Sequence, residues 1–419
     1  MTAWVVSSGQ QARHKVLWHM ASTGYPPFGE DCNNKMEKSM RTVQPLRGAL
    51  VGFGFIMENG HAAAYRQRAL MKGDVQIVAI ADICAARRQR AKEVFPSARI
   101  YDDHQTLLER EAGNLDFVDV ATPPCDHAAV AMDALGVGLH VLCEKPLARS
   151  TEEAAAMLKQ AVKSKRVLFP CHNYKHAPVV KAVRKIIASG DIGEPHLVTL
   201  QTFRNTHARG VAEWRPDWRR ERHFSGGGIA MDHGSHTFYL AFEWMGSYPT
   251  SITANMLQSS SADTEEEFIC TLRFPNGMAT AHLSWTAGVR KVLYTIHGDR
   301  GAIRVEDDRI EIARLHKNAL RSYCAEWDFE NAESLSDWMD SSHVGWFNSL
   351  FDQFKNAIEC KTFVGVEAVE SFRCVQLIQM GYRSANEDSR RVTLNKSAAL
   401  ADFDGLPLPQ IAGVSTVAS

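Results

Sequence analysis

From Leu46 onward the chain alternates short apolar runs with helix-like stretches, and no other feature limits its fold as tightly. Residues 48–52 read as a strand, 62–71 as a helix, 75–81 as a strand ending at Asp82, and 85–94 as a helix; a strand at 116–121, a helix at 126–135 and a strand at 140–143 follow. Strands joined through helices lie parallel in one doubly wound sheet. The first of them runs into Gly52-x-Gly54 before a helix, the context that lifts a glycine pair above coincidence. That order predicts a dinucleotide-binding fold in which Lys145, in the run Cys143-Glu144-Lys145-Pro146-Leu147, is delivered at a strand end.

Beyond about Pro170 the pattern changes to period two. Residues 194–203, 268–274 and 279–285 alternate apolar and polar, 292–296 and 302–305 continue the strands, and turns fall at 275–277 and 298–301. Half-alternating strands describe a sheet covered on one face. Helices are expected at about 228–245 and 346–358. The fold class is therefore α/β: an N-terminal Rossmann dinucleotide-binding domain, then a C-terminal α/β domain with a large, mostly antiparallel open sheet. The expected divisions are a disordered extension at 1–45, an NAD(P)-binding domain at 46–170, a substrate and oligomerisation domain at 171–400, and a flexible tail at 401–419.

The totals narrow the partners. Lysine and arginine number 47 against 48 acidic residues, a formal net charge of -1, so no broad field draws nucleic acid or an anionic membrane. No run of eighteen apolar residues exists. The nine cysteines form no C-x-x-C pair, which argues against a structural zinc site or a disulfide framework and suits a reducing cytoplasm. A small ligand, neutral or locally steered, is expected.

The glycine turn, Gly52, Phe53, Gly54, Phe55 and Ile56, is expected to bring backbone amides and a helix N-terminus to a pyrophosphate. Met57 occupies the third glycine position, a departure, and Gly60 lies one turn further on. Asp82 can accept hydrogen bonds from both adenosine ribose hydroxyls and would repel a 2'-phosphate, favouring NAD; Arg87 and Arg88 nearby keep NADP as the alternative. In the run 226–236, Asp232 and His236 stand four residues apart on one helical face while His233 turns away. A histidine with a carboxylate one turn below can take and return a hydroxyl proton. A metal held by Asp232, His233 and His236 is the rival, disfavoured by the nearby lysine, and no metal is expected. His127 reads as a helix-start residue beside the cofactor, Cys171 and His172 as packing at the domain junction, and Trp346, Phe347, Leu350, Phe351 and Phe354 as core.

Five segments, GALVGFG at 48–54, ADI at 81–83, ATPPCDH at 121–127, CEKPL at 143–147 and GGGIAMDHGSH at 226–236, together resemble the glucose-fructose oxidoreductase / inositol 2-dehydrogenase / rhizopine catabolism (Gfo/Idh/MocA) family over about 48–394. The resemblance implies Lys145 beside the substrate hydroxyl and nicotinamide, with Asp232 and His236 as the acid/base pair. It puts Glu144 near the nicotinamide ribose and Thr122, Pro123 and His127 on the loop flanking the cofactor. Asn173 falls near the reacting carbon, Trp218 and Arg219 by the cofactor or substrate, and Lys175 where arginine is common. It further implies an NAD(P)-dependent enzyme interconverting a secondary alcohol and ketone on a sugar, sugar derivative or cyclitol, packed as a homodimer or homotetramer. An NAD-retaining glycosidase or epimerase and a non-catalytic cofactor-binding partner are the alternatives.

Overall fold

The computed structural model describes residues 44–315, 326–328 and 343–394. The tail and nearly all of the expected extension lie outside these. Six strands form the first sheet: β1 (Leu46–Val51), β2 (Val75–Ala81), β3 (Arg99–Tyr101), β4 (Phe117–Val120), β5 (His140–Cys143) and β6 (Leu168–Pro170). They run in the order β3-β2-β1-β4-β5-β6, every neighbouring pair parallel. The order reverses between β1 and β4, and a ligand crevice opens at the carboxyl ends of strands at such a switch point. β4 is buried along its whole length, as expected of a strand with helices on both faces.

The turn after β1 departs from a simple helix start. Residues Met57–His61 form a wide π-helical turn before the helix Ala62–Met71, and this extra width accommodates Met57 fully buried where a glycine was expected. Gly60 does not pack on the sheet. A Cβ there would lie 2.5 Å from the Phe347 ring, so it makes room for the helix Val344–Glu359.

Among the described residues the second sheet has nine strands: β7 (Pro195–Phe203), β8 (Ser251–Leu257), β9 (Glu267–Phe274), β10 (Gly277–Ser284), β11 (Lys291–Gly298), β12 (Gly301–Glu306), β13 (Arg309–Arg314), β14 (Glu326–Asp328) and β15 (Val392–Thr393). Their order is β14-β13-β12-β11-β7-β10-β9-β8-β15, antiparallel except where β10 runs parallel to β7. Helices Ile229–Met245 and Val366–Asn386 pack on the buried face, where Phe238, Trp244, Leu377 and Ile378 meet Leu200, Phe268 and Ile296.

Chain from well beyond the boundary expected at 170 also packs on the first sheet. Leu350, Phe351 and Phe354 return to pack with Phe53 and Phe117 of the parallel sheet. Val369, Phe372 and Val375 join the other face of that sheet, while Cys374, Leu377 and Ile378 of the same helix belong to the core of the second sheet. Chain from the far end thus completes the dinucleotide-binding half.

Candidate active site

The carboxyl ends of β1, β2, β4 and β5 open into a cleft of about 680 Å³ whose opposite wall is the start of helix Ile229–Met245 and the segment 204–219. Gly52 adopts φ +85°, and a Cβ there would come 2.8 Å from the Thr122 amide nitrogen, so only glycine lets β1 turn beside β4. A Cβ at Gly54 would meet no protein atom within 4 Å. That vacant side of the turn faces the cleft, where a pyrophosphate approaches backbone, so the turn fits a dinucleotide.

Asp82 closes β2 with its carboxylate oriented by the amides of Phe53, donating to Oδ2 at 2.6 Å, and Cys84, donating to Oδ1 at 2.7 Å. Burial raises its pKa against those bonds. The two arginines nearby are committed to protein. Arg87 is buried, donates to the Phe53 carbonyl at 2.8 Å and pairs with Glu58 and Glu213. Arg88 donates to the carbonyls of Asp82 and Ile83.

Behind the cleft lies a charged cluster that has no sequence signature. His61 is buried with Nδ1 2.7 Å from Asp119 Oδ2 and Nε2 3.0 Å from Glu144 Oε1. The Tyr65 hydroxyl adds a bond to Asp119 at 2.6 Å. Burial opposes the imidazolium, but the two carboxylates outweigh it and push its pKa up to about 10. Glu144, held from behind, accepts from the Lys145 amide at 3.0 Å through its other oxygen. The Lys145–Pro146 bond that follows is cis.

Lys145 Nζ donates to the Asp232 carbonyl at 2.8 Å and to its Oδ1 at 3.3 Å, and Arg219 Nε approaches the same oxygen at 3.3 Å. Burial works against the Asp232 charge, yet these cations hold its carboxyl well below the usual carboxylate range. One turn on, His236 Nδ1 lies 2.7 Å from the Tyr239 hydroxyl, and the Tyr174 ring stacks on the imidazole at 3.8 Å. Burial first, then Lys145, drives the His236 pKa well below its ordinary value, so the ring is neutral at neutral pH.

The glycine run explains why this helix starts where it does. The Glu265 carboxylate accepts from the amides of Gly228 (2.8 Å) and Ala230 (3.0 Å), capping the helix from the loop that precedes β9. A Cβ at Gly228 would collide with the Glu265 backbone.

Of the residues expected from sequence, Gly52, Gly54, Phe55, Ile56, Asp82, Thr122, Pro123, Glu144, Lys145, Asn173, Trp218, Arg219, Asp232 and His236 all line the cleft. Phe53 and His127 do not. The Phe53 ring is buried in the core and its amide is spent on Asp82. His127 is buried between two carbonyls, of Pro146 and Thr122, each at 2.8 Å, stapling the two loops from behind. His233 is the converse: expected to turn away, it lines the cleft, its Nε2 3.6 Å from Asp232, because the first helical turn is open on that side. Lys175 is half-buried, 2.5 Å from Glu370, and takes no part in the lining. Tyr239, His61 and Glu265 were missed, since each acts through a partner rather than a motif.

A nucleotide turn, a lysine and a neutral histidine on one cleft define an NAD(P)-dependent dehydrogenase acting on CH–OH groups. Comparison with known proteins agrees. Residues 46–172 match the "Oxidoreductase family, NAD-binding Rossmann fold" profile and residues 180–304 the "GFO/IDH/MocA C-terminal domain" profile. The chain belongs to the Gfo/Idh/MocA family. It is 29% identical over 257 residues to the D-glucoside 3-dehydrogenase of Escherichia coli (57% of this chain, 70% of that protein). It is 28% identical over 298 residues to the levoglucosan dehydrogenase of Pseudarthrobacter phenanthrenivorans (62% of this chain, 73% of that protein). Among solved structures, a levoglucosan dehydrogenase in complex with NADH and levoglucosan superposes with a TM-score of 0.71 at 22% identity, covering 84% of this chain and all of that one.

Proposed function

We propose that this chain oxidises a secondary hydroxyl of a sugar, sugar derivative or cyclitol, using NAD in preference to NADP. The observation that carries the reading is the ion pair from Lys145 to Asp232, which ties the strand-end lysine to the turn just before His236 within the nucleotide cleft. Bound NAD would supply the hydride acceptor. Gly52, Gly54 and the amides of Phe55 and Ile56 would hold its pyrophosphate, and Thr122, Pro123, Glu144 and Asn173 its nicotinamide half.

His236 acts as general base through Nε2, because Nδ1 is engaged by Tyr239. With the Tyr239 oxygen, which also accepts from the Tyr174 amide at 3.2 Å, taking an Nδ1–H, the ring would be in the tautomer that leaves Nε2 free to accept a proton. Lys145 places a cationic donor on the substrate oxygen and stabilises the charge that develops there. Asp232 keeps that lysine aimed, and with Lys145 and Arg219 already crowding it the Asp232, His233, His236 group is a poor cation site.

Cofactor preference follows from the adenosine end. The Asp82 carboxylate would oppose a 2'-phosphate, all three nitrogens of the Arg87 guanidinium are bonded to protein acceptors, and Nη1 of Arg88 is held by two backbone carbonyls. Relatives named for glucoside, levoglucosan and apiose dehydrogenases support the sugar class. Leu197, Ile269 and Met278, 39%, 45% and 42% exposed, lie on the open face of the second sheet, which supports a homodimer or homotetramer packed through it. The cysteines described here are all unpaired, which supports a cytoplasmic setting.

One observation favours a second reading, transient oxidation by an enzyme that keeps its NAD. Glu213 reaches across the cleft mouth to Arg87 at 3.3 Å, and its carbonyl accepts from Cys84 Sγ at 3.6 Å, so the segment 205–221 straps the nucleotide side shut. A panel of pyranosides, anhydro sugars and cyclitols, followed by NADH absorbance, tests the main reading. NADH formation from at least one of them supports it; aglycone release from glycosides without added cofactor and without NADH favours the second.

A further inference from the structure

The substrate end of the cleft holds more positive charge than alcohol oxidation uses. Of the acids in the lining, Asp82 and Glu144 belong to the nucleotide side, Asp103 caps the helix His104–Glu111, and Asp126 starts the helix Pro124–Gly136. Asp232 alone faces the reacting end, and Lys145 and Arg219 already share it. Arg204, one residue past β7, lines the same wall.

Arg204 is held in place without being neutralised. Its amide donates to the Ser284 carbonyl at 2.8 Å and its carbonyl accepts from the Ala287 amide at 3.0 Å, fixing the backbone on both sides. Its one side-chain hydrogen bond runs from Nη1 to the adjacent Phe203 carbonyl at 2.8 Å. Among the described residues no carboxylate lies within ion-pair distance of it. Nε and Nη2, which form one edge of the guanidinium, are therefore left for a ligand, and that edge matches the two oxygens of a carboxylate. The residue is half-buried, where a charge without a counter-ion is costly unless a ligand supplies one.

We propose that the physiological substrate is an anionic sugar derivative, its carboxylate or phosphate ester read by Arg204. This rests on the reading that the cleft oxidises a sugar hydroxyl. Lys145 acts on the reacting oxygen while Arg204 fixes the ring by a group remote from it, so the anion sets which hydroxyl meets His236. Binding energy from such a non-reacting group positions the reacting carbon.

The test compares matched methyl glycosides of gluco, galacto and manno configuration in three forms: neutral, C6 uronate and 6-phosphate. Each is oxidised by the full chain with saturating NAD. One of the two anionic forms should exceed its neutral parent in kcat/KM by about 10- to 100-fold, the value of a charge-assisted hydrogen bond. Arg204→Met should collapse that ratio, mainly through KM, and Arg204→Lys should restore part of it. A neutral parent preferred in every configuration, with a ratio indifferent to Arg204→Met, overturns the proposal. Should no form yield NADH, calorimetric titration of the NAD-loaded protein with the same compounds decides. Binding of an anion that Arg204→Met abolishes sustains the anionic site while the dehydrogenase reading falls; no binding of either anion overturns the site.

Discussion

The role proposed for His236 as base rests on what surrounds the ring. Burial and the nearby Lys145 lower its pKa far below 6.5, so the neutral ring persists across the physiological range. The acid limb of kcat/KM for alcohol oxidation should then lie well below pH 6.5, with no step at that value. A fall centred near 6.5 would mean that His236 is solvated during turnover. Tyr239→Phe removes the hydroxyl that engages His236 Nδ1, and kcat should drop by about tenfold or more with little change in KM. At the adenosine end, Asp82→Ser should narrow or reverse the preference for NAD. Equal affinities for NAD and NADP in the unaltered protein would contradict the role given to Asp82.

His61 shows how a buried pair reports on pH. Its folded pKa, about 10, lies above the unfolded value of 6.5. The stability it contributes is therefore fully present below pH 6.5 and is lost as pH rises through about 10. His61→Ala leaves Asp119 and Glu144 buried against each other and should cost about 3–5 kcal/mol, measured as a shift in the urea midpoint. A variant within about 0.5 kcal/mol of the parent would show that water replaces the ring.

At the scale of elements, the sequence was informative wherever chemistry sits within one short run. The turn at Gly52 and Gly54, the lysine ending β5 and the Asp232–His236 spacing are local patterns, and the structure brings them to one cleft. Partners far apart in the chain left no such trace: His61 meets Asp119 and Glu144 across 58 and 83 residues, and Glu265 caps a helix 35 residues upstream. The Val366–Asn386 helix escaped notice for a related reason. It is buried on two sides, so it lacks the single apolar stripe that marks a surface helix. Strands β3, β6, β8, β13, β14 and β15 were missed too, the last being only two residues long. Glu265→Ala should uncap the active-site helix, costing about 1–3 kcal/mol in thermal or urea unfolding. Loss of less than about 0.5 kcal/mol would show that the glycine turn alone sets the helix start.

Across the whole molecule, the two sheets share their helices. Phe372 and Val375 pack on the parallel sheet, whereas Leu377 and Ile378 pack on the other. That continuity ties the core of one sheet to the core of the other. The extension before β1 was expected to be dispensable, and a chain starting at Met40 should fold and bind NAD as the full chain does. A lowered thermal midpoint on truncation would contradict that.

The central claim is that Lys145 acts on the substrate oxygen while other residues hold the nucleotide. It is tested most directly by measuring turnover and NAD affinity together in Lys145→Ala, on whichever substrate the unaltered protein oxidises. Loss of a positioned cationic donor to a developing oxyanion should lower kcat/KM by about 100- to 1000-fold, with NAD bound as before. Retention of most of the activity would contradict the claim and shift the chemistry to the residues of the 205–221 segment.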